Sequence, residues 1–199
     1  MRLLRFLCGK VEAALCKRAI LGEHRGVRIC DLNFNDDDNQ RFLKETKRVL
    51  DLIAVRDPRR FHRVQRHIRY LLNCELYSGA GYAPGQVCKI DFGRFDFRKN
   101  PKGCFYVYAG MLVHEATHGL LRSKGFGRTK ANWVQVERIC CAEQNRFLAK
   151  VERDYGAPLQ REFDPRRWDF GSWWQRLSAL FGRVKAERLK EQKGSRRSG

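Results

Sequence analysis

The chain has 199 residues, 43% of them hydrophobic and thirteen of them phenylalanine, a composition that fits one folded domain with a substantial core. Its 41 lysines and arginines against 22 acidic residues give a formal charge of +19, which draws a protein toward polyanions without choosing among them. No run approaches the roughly 18 uninterrupted apolar residues of a membrane-spanning helix. The eight cysteines form no C-x-x-C pair and show no regular spacing, so they read as reduced thiols rather than a disulfide framework.

The N-terminus, MRLLRFLCGKVEAALCKRAIL, begins in the manner of a signal peptide, but Lys10, Glu12 and Lys17 interrupt it and no small-residue cleavage site follows. An amphipathic helix from about Arg2 to Ile20 and a cytoplasmic protein are expected. VRICDLNF is then a short extended segment. Asn35 to Asp38 supply a helix start with acidic residues where the dipole favours them, and that helix should stop near Asp57-Pro58. A third helix, RRFHRVQRHIRYLL, carries Phe61, Val64, Ile68 and Leu71 or Leu72 as its apolar stripe and a basic opposite face. YSGAGYAPGQ reads as loop, VCKIDFGRFDF as a strand burying Val87, Ile90 and Phe92, and Asn100 to Gly103 as a turn. A helix from about Phe105–Tyr108 to Lys124-Gly125 follows, then a loop. Thr129 should cap a last long helix, about Lys130 to Arg153, ended by Gly156.

The first of these two long helices contains MLVHEATHGLL, Met111 to Leu121. Residues i and i+4 lie one turn apart on one helix face, so His114 and His118 can aim their imidazoles at a single Zn²⁺. Glu115, turned about 100° away, can reach a water on that ion without ligating it. Zinc acidifies such a water, and a neighbouring carboxylate can take the proton and return it to a leaving group. A catalytic zinc also needs a third protein ligand and one open position. Glu137 and Glu143 on the next helix are the candidates. Trp133, Val136, Cys140, Phe147, Leu148 and Val151 form an apolar stripe with Glu137 near its centre and Glu143 at its edge. A carboxylate inside an apolar face needs a partner, which favours Glu137 and leaves Glu143 as the rival. Cys140 and Cys141 read as core cysteines, with thiol ligation open.

The H-E-x-x-H stretch, with uncharged Leu112, Ala116, Thr117, Gly119 and Leu120 around it, resembles the extended signature of the zincin metallopeptidases. Met111 departs from it, since zincins more often have Val or Thr there. Leu121 and Lys124 stand where the metzincin branch has its glycine and third histidine. The resemblance is instead to the gluzincins, whose third ligand is a glutamate on the next helix roughly 20 residues on; Glu137 follows His118 by 19. FHRVQRHIRYLL, the glycine-containing loop and the strand also look like the front half of small bacterial zincin-like proteins, and carry over no functional residue. The resemblance implies an α+β zincin-like fold, with long helices on a small sheet. It also implies a zinc-dependent peptidase acting on a peptide or protein substrate, with Glu115 as general base and His114, His118 and Glu137 as ligands. Tyr77, Tyr82 and Tyr155 are candidates for stabilising a developing oxyanion.

Residues 1–160 would form the catalytic domain. Residues 161–190, REFDPRRWDFGSWWQRLSALFGRVKAERLK, interleave Trp168, Trp173 and Trp174 with Arg and Lys, and 191–199 read as a disordered tail. The Trp-rich segment can dock on the domain, lie peripherally on an anionic membrane surface, or contact nucleic acid. A second reading of the whole chain is a basic binding protein for membrane or nucleic acid, with a structural or idle metal site.

Overall fold

The computed structural model describes residues 14–32, 36–74, 80–127, 129, 131–159 and 163. Tyr77 and, apart from Phe163, the Trp-rich segment lie outside them, as does most of the expected first helix, of which residues 14–18 are described and are helical. The rest is a mixed α+β arrangement. Strands β1 (Ile20–His24) and β2 (Val27–Asp31) precede helices α1 (Asp36–Arg56) and α2 (Pro58–His67). Strands β3 (Tyr70–Asn73), β4 (Ala80–Ala83) and β5 (Val87–Ile90) follow, then a 3₁₀ turn over Phe92–Arg94 and helices α3 (Pro101–Ser123) and α4 (Trp133–Tyr155). The sheet order is β1-β2-β3-β5-β4, with a parallel centre and an antiparallel strand at each edge.

Strand alternation divides the molecule into two unequal halves. Val27, Ile29, Leu71, Cys88 and Ile90 point to the large core shared with all four long helices. Cys30, Tyr70, Leu72 and Val87 point the other way, where Cys16 of the helical segment covers them. A two-residue turn joins β1 to β2, with Arg25 and Gly26 both at positive φ, as a tight hairpin of matching twist requires.

Several boundaries differ from the sequence expectation. The first helix ends before Ile20, which begins β1. The basic helix stops at His67, and Tyr70–Asn73 is the central strand rather than its last turn. All four of those residues are buried between parallel neighbours on both sides, so the strand has no polar face and carries no alternation to distinguish it from a helix face. Part of the expected loop, Ala80–Ala83, pairs as the edge strand β4. The turn at Asn100 is a helix start. The Asn100 side chain accepts from the Gly103 amide at 2.8 Å, with Pro101 in the first turn where no donor is missed. Asn132, not Thr129, occupies the cap position of α4. No helix among the described residues is long and apolar enough to cross a membrane.

Two features place α3 and α4 against each other. Gly110 lies where a Cβ would stand 3.0 Å from a Leu148 methyl and 3.3 Å from Gln144 Cγ, so glycine allows a close crossing. Beyond it, His114 faces Gln144 and Cys141, and His118 faces Glu137. Residue numbers rise along one helix as they fall along the other, the mark of an antiparallel pair. Gly119 gives α3 a second close approach: a Cβ there would meet His67 Cβ at 2.7 Å and the Tyr82 ring at 2.9 Å.

Candidate metal centre

The antiparallel pairing brings side chains from α3 and α4 together in a buried pocket of polar atoms. His114 Nε2 stands 3.1 Å from His118 Nε2, with the ring planes inclined at 63° so that the nitrogens converge. Glu137 Oε2 lies 3.3 Å from His114 Nε2 and 3.5 Å from His118 Nε2. Cys140 follows Glu137 by three residues on the same inner face, and its sulfur is within 4.8 Å of a ring nitrogen of each histidine. Glu137 is 1% exposed and Cys140 is fully enclosed. Imidazole nitrogens, a carboxylate oxygen and a thiol are all metal-ligand types, and the buried group His114, His118 and Cys140 could hold a metal ion.

The other face of the His114 ring is held as well. Its Nδ1 is 3.1 Å from Gln144 Oε1 and 4.0 Å from Cys141 Sγ. With the proton on Nδ1, donated to Gln144, the neutral ring presents its Nε2 lone pair toward His118 and Glu137. Gln144 was not singled out by the sequence, and Cys141 was read there only as a core cysteine with ligation open. The signal that finds them is the antiparallel register, visible only once His118 is placed opposite Glu137.

Burial disfavours the charged form of both partners here, yet their contact outweighs it. Glu137 is held far below the usual carboxylate range by His114 and His118. His114 is raised against the effect of burial by Cys141 and Glu137. The two shifts run in opposite directions and are consistent with each other: each group stabilises the ionised form of the other.

Glu115 is also buried, at 5% exposure, on the turn between the two histidines. It lies within electrostatic reach of His114 and Cys140. Thr117 Oγ1 donates to the Val113 carbonyl at 2.8 Å and accepts from Arg63 Nη1 at 3.0 Å, tying the histidine turn to α2.

Glu143 sits elsewhere. Its carboxylate takes Arg63 Nη1 at 2.7 Å, Arg60 Nη2 at 3.2 Å, and Arg146. Burial works against its ionisation, and the hydrogen bonds from Arg63 and Arg146 overcome that to lower its pKa. Asp57, the cap of α2, extends the same network through Arg60 at 2.5 Å and Lys150 at 2.8 Å. Part of the arginine face of α2 is therefore engaged in bracing α4 rather than open to an outside partner.

Of the tyrosines, Tyr82 packs on Gly119 beside the site, but its hydroxyl donates to the His67 carbonyl at 2.9 Å, and burial pushes its pKa up to about 12. Tyr155 stands at the far end of the helix pair, accepting from Asn100 Nδ2 at 3.0 Å and edge-on to Tyr106. The structure does not bring Tyr155 to the histidines. Comparisons with protein-family models, with curated proteins and with solved structures find nothing that matches this chain.

Proposed function

We propose that the chain is a zinc-dependent hydrolase of the zincin type, acting on peptide bonds, with His114, His118 and Glu137 as the metal ligands. The observation that carries this reading is the triangle of donor atoms, with sides of 3.1, 3.3 and 3.5 Å. Ligands arranged tetrahedrally at about 2.0–2.1 Å from zinc stand about 3.3 Å from one another. An ion-paired core cluster accounts for these contacts less well. Two Nε2 atoms at 3.1 Å need one donor and one acceptor, whereas one cation satisfies both nitrogens and the carboxylate together.

When bound, the ion would supply Lewis acidity and acidify a water at its open position. The chain's own residues do the rest. Gln144 fixes the His114 tautomer, Arg63 and Thr117 anchor the histidine turn, and the Glu115 carboxylate accepts a proton from the attacking water and returns it to the leaving amine. The peptide substrate follows from the resemblance of the H-E-x-x-H stretch to zincins, since a site of this kind does not by itself choose the bond.

Metal analysis tests the reading. Purified wild type should hold one zinc per chain, and His118→Ala should hold none. A wild-type chain that takes up no stoichiometric zinc after exposure to excess metal and dialysis would end the proposal.

A further inference from the structure

We infer that Cys140 is a fourth protein ligand, so that the resting site is a His–His–Glu–Cys set whose thiolate occupies the position otherwise left to water. This rests on the metal reading above and adds to it a regulation of the same site.

Several observations converge on Cys140. Its sulfur lies within 4.8 Å of a ring nitrogen of each histidine, the two rings that Glu137 Oε2 also contacts. It stands one helical turn from Glu137, so the rigid backbone of α4 delivers carboxylate and thiol to the same face. It is enclosed completely, so no bulk water separates it from the pocket. Cys141 offers the contrast within the same turn. Its sulfur approaches Nδ1 of His114, the ring nitrogen turned away from the donor triangle.

The distances fit a ligand held slightly back. A sulfur and a nitrogen on one tetrahedral zinc stand about 3.5 Å apart, given Zn–S near 2.3 Å and Zn–N near 2.0 Å. Closing to that separation from at most 4.8 Å requires a shift of about 1.3 Å at most, within the range of a torsion of a cysteine side chain. Zinc accepts mixed nitrogen, oxygen and sulfur sets without geometric preference. Two consequences follow. The site should favour thiophilic ions, and its hydrolytic activity should be low until the thiolate yields its place.

Cobalt(II) substitution in the full chain reads the ligand directly. The wild-type cobalt form should show a sulfur-to-metal charge-transfer band in the near ultraviolet beside the visible bands of a tetrahedral ion. The band should disappear in Cys140→Ser and Cys140→Ala and persist in Cys141→Ser. Cobalt bound with no charge-transfer band in the wild type overturns this inference while leaving the three-ligand reading intact. A band that survives both Cys140 substitutions overturns it as well, and no cobalt uptake at all overturns both. Should the Cys140 variants fail to fold, cadmium NMR of the wild-type chain still decides, because the metal's chemical shift reports whether a sulfur is bound.

Discussion

Two glutamates stand six residues apart on α4, both turned toward the interior, and the molecule holds them in opposite ways. Glu143 is clamped by the guanidinium groups of Arg60 and Arg63 from α2. Glu137 faces the imidazoles of His114 and His118 from α3. A guanidinium keeps its proton at any pH a protein tolerates, so Glu143 stays paired with cations that cannot give way to a metal. An imidazole, unlike a guanidinium, can give up its proton when a metal binds, and the same contacts then become a ring of acceptors. The side chain and the helix are the same in both cases. The acid strength of the partner makes one carboxylate a brace and allows the other to become a ligand.

Exchanging each glutamate for its amide should separate the two roles. Glu137→Gln is expected to abolish stoichiometric zinc binding, the largest effect foreseen. Glu143→Gln should keep the metal and instead lower stability by about 1–3 kcal/mol, the range for losing one partner of a part-buried charged network. Zinc content and a denaturant titration of both variants read this directly, and loss of zinc in Glu143→Gln would break the distinction. Glu115→Gln comes next. It should retain its zinc while hydrolysis of a peptide substrate falls by about 10²–10⁴-fold, the usual contribution of a general base. Full activity in that variant would remove Glu115 from the chemistry.

The contrast between Glu137 and Glu143 was partly legible in the sequence, because helical phase alone puts Glu137 inside the apolar stripe and Glu143 at its edge. The spacing of His114 and His118 was legible for the same reason. What could not be read is whatever depends on which helix lies against which. Arg60 and Arg63 belong to a basic face that looks like a solvated surface or a polyanion contact. Only the packing of α2 beside α4 turns them into partners of Glu143. Tyr70–Asn73 escaped for a related reason. A four-residue strand buried on both faces has no period of its own, and its apolar run continues the stripe of the preceding helix. The close approaches at Gly110 and Gly119 likewise carry no local signature, since a glycine inside a helix reads as a simple loss of propensity until something is placed against it.

A smaller effect is expected from the group that holds the His114 ring. Gln144 Oε1 accepts from His114 Nδ1, and outer hydrogen bonds of this kind are worth about 10–100-fold in metal affinity. Gln144→Leu should weaken zinc binding by that factor in a chelator competition, and Gln144→Glu, which keeps the acceptor, should restore it. Equal affinity in wild type and Gln144→Leu would mean that the ring is held by its packing alone.

The smallest effect concerns the brace and its dependence on pH. Asp57 is almost entirely buried; burial opposes its ionisation, and its bonds to Lys150 and Arg60 overcome this to leave its pKa lowered. A carboxylate with a depressed folded pKa stabilises the fold fully above its unfolded value, about 4. That contribution is lost as pH falls through the folded value. Asp57→Asn keeps a side-chain acceptor for the start of α2 but removes the charge. Its deficit against wild type, about 1–3 kcal/mol near neutrality, should therefore shrink as the pH is lowered below about 4. Denaturant titrations of the two chains at pH values from neutral to strongly acidic measure the difference. A deficit that stays constant across that range would show the stabilisation to be packing rather than charge, and would detach Asp57 from the network that holds Glu143.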